Sequence, residues 1–343
     1  MDLGEAEPLD KLVQAFRRAL ANPEGATGRE LGRKLDEALM RPVRAHLGDA
    51  RTIYVAPEGS LNLAPLAALV DEQGRYLLER YTFSYLASGR DLLVLQRGDP
   101  ARSPPLVIAD PAFSLSGAPA QADSGPERSR DLPQQRSRDF RNASFERLPG
   151  TALEAQTLKR ILPDAVVLTG TAATETAAKR SGGPRILHIA THGFFLEDGA
   201  ADTEDPMLRS GLVFAGVNAL GSAEDDGVLT ALEAAGLDLR GTRLVVLSAC
   251  ETGLGEVKNG EGVFGLRRAF VVAGAETLLM SLWQVADEAT KDLMVAYYTR
   301  LARGEPRAEA LRQAQLAMLG DPKTSRPFFW AAFISSGEVG VLK

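Results

Sequence analysis

The stretch Arg243-Leu-Val-Val-Leu-Ser-Ala-Cys250-Glu-Thr-Gly-Leu-Gly255 carries the only cysteine of the chain. Leu244 to Leu247 are four consecutive apolar residues with a β-branched pair, Val245 and Val246, at their centre. A half-exposed strand would alternate, so a short unbroken apolar run suits a strand buried on both faces of a parallel sheet. Gly253 and Gly255 then break the regularity, which puts Cys250 where a strand ends and a loop begins. Open α/β sheets gather their chemistry outside the carboxyl ends of their strands.

The bulk composition narrows the setting. The chain has 343 residues, 45% hydrophobic and 24% charged, enough for one large domain or two ordinary ones with a sizeable core. A net charge of −6 argues against a nucleic-acid partner, which usually calls for a basic stripe. One cysteine cannot form an internal disulfide, which points to a reducing compartment. No signal-like start and no apolar run of 18 residues is visible, so a cytoplasmic protein without direct membrane contact is expected.

Working outward from the opening stretch, periodicity divides the chain. Residues 1–50 read as a helical segment, with Leu12, Phe16 and Leu20 on one face and a looser stripe through Leu31, Leu35, Met40 and Val43. Residues 51–112 form a first half, with strands at Thr52–Ala56, Tyr81–Leu86 and Leu106–Ala109, a short helix at Leu63–Val70 and a helical turn at Asp91–Gln96. Residues 113–147 lose hydrophobic periodicity to Ser, Gln, Asp and Arg, as a flexible linker does. Its arginines, among them Arg128, Arg130 and Arg136, are also candidate cleavage points. Residues 148–343 alternate. Strands are expected at 165–168, 185–191, 211–215, 243–249, 277–283 and 329–335, and helices at 151–162, 174–180, 230–235, 262–273, 288–303 and 306–319. Such alternation predicts an α/β fold, a parallel or mixed sheet with helices on both faces.

Three histidines could carry chemistry: His46, His188 and His192. His188 and His192 are four apart within a strand pattern, roughly 13 Å along a strand, too far to share one ion. No metal or cofactor site is expected. His46 reads as surface and His188 as a core histidine or one that supports the site from behind. His192 ends its strand and is followed by Gly193, where backbone can approach a substrate. Two strand ends on one edge of a parallel sheet would bring His192 near Cys250. That pairing is the one nucleophilic thiol catalysis needs: a thiolate attacks and an imidazole handles the proton. The backbone amides of Gly193 and Cys250 could hold an oxyanion. The blander alternatives are a cysteine acting as a small buried hydrophobe and a histidine that simply bonds a loop.

Ile186-Leu-His-Ile-Ala-Thr-His-Gly193 and Val246-Leu-Ser-Ala-Cys-Glu-Thr-Gly253 together resemble the CHAT domain, a caspase-like peptidase module related to separase. Pro57-Glu-Gly-Ser-Leu61, Ser88-Gly-Arg-Asp91, Asp205-Pro-Met-Leu-Arg-Ser-Gly211, Asp226-Gly-Val-Leu-Thr230, Gly260-Glu-Gly262, Ser281-Leu-Trp-Gln-Val-Ala-Asp287 and Phe329-Trp-Ala-Ala-Phe333 follow in the expected order. The resemblance implies a caspase–hemoglobinase α/β/α sandwich with a mostly parallel sheet, a degenerate pseudo-caspase first half, and His192 and Cys250 as a catalytic dyad. It implies a cysteine endopeptidase acting on a protein substrate, such as a gasdermin-like pore former in bacterial defence or regulated cell death. A sensor or tetratricopeptide-repeat regulator is an implied partner. A catalytically silent scaffold is the alternative. By similarity to separase, Asp287 lines the pocket for a basic P1 side chain, with Asp205 and Glu251 as fallback candidates. Asp287 also stands where a helix N-cap would.

Overall fold

The computed structural model describes residues 4–25, 27–95, 98–114, 145–195, 206–219, 225–248 and 264–342. Much of 113–147, and Asp205, Cys250 and Glu251, lie outside the described residues.

In chain order the elements are α1 (Ala6–Leu20), α2 (Gly28–Ala38), α3 (Met40–Arg44), β1 (Thr52–Val55), β2 (Thr82–Tyr85), α4 (Asp91–Val94), β3 (Leu106–Pro111), α5 (Pro149–Ile161), β4 (Val166–Gly170), α6 (Glu175–Lys179) and β5 (Ile186–Ala190). They continue with β6 (Gly193–Phe195), β7 (Ser210–Val213), β8 (Val228–Thr230), α7 (Ala231–Ala235), β9 (Leu244–Leu247), α8 (Phe264–Val272), β10 (Thr277–Ser281), α9 (Asp287–Ala302), α10 (Arg307–Gly320), α11 (Pro327–Trp330) and β11 (Phe333–Gly337).

Eight strands form one sheet in the order β1-β2-β11-β10-β9-β5-β3-β4. β10, β9, β5, β3 and β4 run parallel to one another, as do β1, β2 and β11. The two blocks meet at a single antiparallel seam between β10 and β11. The burial of the strands follows from their place. Central β9, β5, β3 and β10 are buried at every residue, whereas the edge strands β1 and β4 alternate or open to solvent.

Crossover handedness sorts the helices into layers. A β–α–β crossover is right-handed, so its helix changes face when the chain reverses its direction of travel across the sheet. β3 to β4 steps outward, carrying α5; β4 to β5, β5 to β9 and β9 to β10 all step inward, carrying α6, α7 and α8. In agreement, α5 packs on α9 and α9 on α10, while α7 packs on α8. The result is the α/β/α sandwich the sequence implied, and one continuous core runs through it from Val13 to Ile334.

Three local readings change. Leu63–Val70 is two short 3-10 turns, Gly59–Leu63 and Leu66–Ala68, because Ala64 and Pro65 are extended between them. The apolar run expected as a strand from Phe329 divides instead. Pro327 opens the helical turn α11, and the strand begins only at Phe333. The strand expected at Gly211–Ala215 belongs to a separate antiparallel sheet, β6-β7-β8, rather than to the main one.

Candidate functional site

β5 and β9 are adjacent and parallel, with Ile189 paired to Leu247, and the Ser248 amide donates to the Ile189 carbonyl at 2.9 Å. Their carboxyl ends therefore leave the sheet side by side, about 4.8 Å apart. His192 follows one end directly. Cys250, two residues beyond Ser248, lies outside the described residues.

The half-buried His192 ring is held on three sides. Its Nε2 lies 2.8 Å from the Glu146 carbonyl oxygen. The Phe113 and Phe145 rings flank it at centroid distances of 5.2 and 5.7 Å. A carbonyl can only accept, so Nε2 carries a proton, and in the neutral ring Nδ1 keeps the lone pair.

Gly193 opens β6 opposite Leu212. The Val213 amide donates to the His192 carbonyl at 3.0 Å, which makes 192 and 213 the hydrogen-bonded pair. Residues of an antiparallel pair alternate, so Gly193 falls in the non-hydrogen-bonded pair and its N–H points away from β7. The amide is thus not consumed by the ladder.

Beneath the strand ends lies a buried polar network. His188 sits in the middle of β5 with no exposure, as the sequence implied. Its Nδ1 is 3.0 Å from the Tyr298 hydroxyl on α9, and its Nε2 approaches Glu154 Oε1 on α5 to 3.1 Å. The latter approach lies off the hydrogen-bond axis, so we read it as an electrostatic contact and not a directed bond. Ser248 Oγ donates to Glu154 Oε2 at 3.1 Å, linking the network to the end of β9. Burial pushes the Tyr298 hydroxyl well above its ordinary value, with Tyr297 and Glu154 adding to the rise, so the phenol stays protonated.

A small cavity opens beside Ser248, lined by Glu154, Ser281, Trp283, Asp287 and Thr290 among others. Asp287 is the first residue of α9, not its cap: Ala286 holds the N-cap position and no side chain caps the helix. The carboxylate instead rests against Gly150, where an added Cβ would stand 2.6 Å from Asp287 Cβ and 3.1 Å from Oδ2. A glycine is required there for the acid to reach the cavity.

The structure brings His192, Gly193 and Asp287 to the carboxyl edge shared by β5, β9 and β10. Sequence reasoning missed Glu154, Tyr298 and the Glu146 carbonyl. Glu154 left one trace: helical spacing puts it on the buried face of α5 with Thr151, Ala155 and Leu158. A backbone carbonyl leaves no trace in side-chain identity.

Architecture and strand-edge placement define a caspase-like α/β/α sandwich. The family model of the CHAT domain matches residues 29–338, and the chain belongs to that family. In fold the chain is similar to the Arg-specific cysteine proteinase gingipain R, with a TM-score of 0.53 at 10% identity over 98% of this chain and 75% of that one. It is also similar to Saccharomyces cerevisiae separase in its complex with securin. The TM-score there is 0.51 at 11% identity, over 96% of this chain and 20% of that one. Among curated proteins, tetratricopeptide repeat protein 28 of Homo sapiens is 25% identical over 340 residues, covering 89% of this chain. The chain spans 13% of the length of that relative. No helix among the described residues is long and apolar enough to cross a membrane.

Proposed function

We propose that this chain is a cysteine endopeptidase with Cys250 as nucleophile and His192 as its proton carrier. One observation carries the reading. His192 and Cys250 each follow by three residues a register pair of adjacent parallel strands, Ile189 and Leu247. The Nε2–Glu146 contact leaves Nδ1 as the basic nitrogen on a ring already held in place.

In the first step Nδ1 takes the thiol proton and the sulfur attacks the scissile carbonyl, whose π pair moves to oxygen. The Gly193 and Cys250 amides stabilise that oxyanion. Collapse expels the amine, which takes the proton from His192, and leaves a thioester on Cys250. Water, deprotonated by Nδ1, then attacks the thioester; the acid departs and the thiolate recovers its proton. No metal or cofactor enters the sequence of steps.

Asp287, at the cavity beside Ser248, is the P1 determinant in this reading and favours Arg or Lys through a charge-assisted hydrogen bond. Asp205 and Glu251 remain subsidiary candidates for the same pocket. The substrate is a protein, with a gasdermin-like pore former in bacterial defence as the kind proposed. A sensor or tetratricopeptide-repeat regulator is the proposed partner, supported by the similarity to human tetratricopeptide repeat protein 28. The first half is the non-catalytic partner of the second, and the arginines of 113–147 are proposed autoprocessing sites.

The test is turnover of a peptide library by wild type and Cys250→Ala, profiled at P1. Turnover lost in the variant supports the reading, and equal turnover by both overturns it. The silent-scaffold alternative predicts a thiol that alkylates no faster than an exposed model thiol.

A further inference from the structure

Asn218 stands just after the β7 strand, 26 residues beyond His192, and no motif marks it. Its side chain nonetheless makes a bidentate pairing with one backbone unit. Oδ1 accepts from the Phe145 amide at 3.1 Å, and Nδ2 donates to the Phe145 carbonyl at 3.1 Å. Nδ2 also donates to Ser114 Oγ at 3.0 Å, and the Asn218 amide donates to the Phe113 carbonyl at 3.0 Å. Only one orientation of the amide satisfies all of these partners, since a flipped group would set donor against donor.

The residues so held are the ones that touch His192. Phe113 and Phe145 are the two flanking rings, and Glu146, whose carbonyl accepts from Nε2, is covalently next to Phe145. We propose that Asn218 is a positioning residue for His192: by clamping Phe113 and Phe145 it presents the Glu146 carbonyl to Nε2 and so fixes the tautomer with its lone pair on Nδ1. A histidine with the other tautomer could not accept a proton at Nδ1, which makes this a catalytic as well as a packing constraint. The Arg147–Asp110 ion pair anchors the same stretch from its other side but does not reach the ring. The inference rests on His192 serving as the base, as proposed above.

The test uses the full chain with ¹⁵N-labelled histidine, because three histidines give resolvable imidazole signals and His192→Gln identifies the relevant one. Wild type should show His192 with its proton on Nε2. Asn218→Ala should shift the ring toward a tautomer mixture and move the acidic limb of the pH–rate profile. It should also lower kcat about 10–100-fold with KM within about threefold. Asn218→Asp keeps the acceptor for the Phe145 amide but loses the Nδ2 donor, so it should fall between the two; it also serves if the alanine variant fails to fold. An unchanged His192 tautomer and pH limb in a folded Asn218 variant overturns the proposal. Wild type that turns over no peptide while the tautomer still shifts in the variant sinks the peptidase reading and leaves the positioning role standing.

Discussion

At the scale of single residues the cavity proposed to take P1 makes the sharpest demands. The Asp287 carboxylate reaches it only because Gly150 has no side chain. Gly150→Ala should therefore displace Asp287 and lower turnover of Arg- and Lys-P1 peptides, chiefly through KM, while leaving the alkylation rate of Cys250 unchanged. Asp287→Asn should lower the same basic preference by about 10–100-fold, the loss of one charge-assisted hydrogen bond worth about 1.5–3 kcal/mol. P1 profiling of both variants measures this, and an unchanged Arg/Lys preference in either would remove Asp287 from the pocket. Asp287 itself was legible in sequence, both as a pocket acid and as a helix cap. Its packing against Gly150 was not, because that residue lies 137 residues earlier in the chain.

Among elements, α6 carries a buried acid whose titration is moved up from its ordinary range. Glu175 on α6 is almost fully buried, pairs with Lys179 and accepts from the Gly227 amide at 3.0 Å. Burial, reinforced by Asp226 and Glu233, raises its carboxyl to about 7 from an ordinary 4.5, against the pull of Lys179. The native state thus binds more protons than the unfolded chain between about 4.5 and about 7. This contribution to stability is complete below 4.5 and is lost as pH rises through 7. Relative to Glu175→Gln, wild type should lose about 2 kcal/mol between pH 5 and pH 7.5, read from urea midpoints at the two values. A constant difference would refute the assignment. A second element-level expectation concerns α9: Tyr298→Phe removes one buried hydroxyl from His188 and should cost about 1 kcal/mol, measured by the same denaturation.

For the whole molecule, the pairing of strands sets the outcome of a cut. β1 and β2 come from before residues 113–147, yet they join the sheet through β11, the last strand of the chain. β3, also from before that stretch, lies between β5 and β4. Limited proteolysis between 115 and 144 should therefore leave two fragments that co-elute by size exclusion and unfold in one transition. Separation of the fragments under native conditions would contradict this.

The sequence by itself determined the local alternation of strands and helices, the class of sheet, and the place of His192 just past the end of β5. Each of these is written in runs of neighbouring residues, where apolar periodicity and glycine act over a few positions. Tertiary structure alone decided which strand lies beside which. It reversed β11 against β10, split off β6-β7-β8, joined Glu154 to Ser248 across 94 residues and His188 to Tyr298 across 110, and brought Asn218 to Phe145 across 73. Contacts that distant leave no periodic trace, because they are selected by packing of the whole core and not by the conformational preference of any segment.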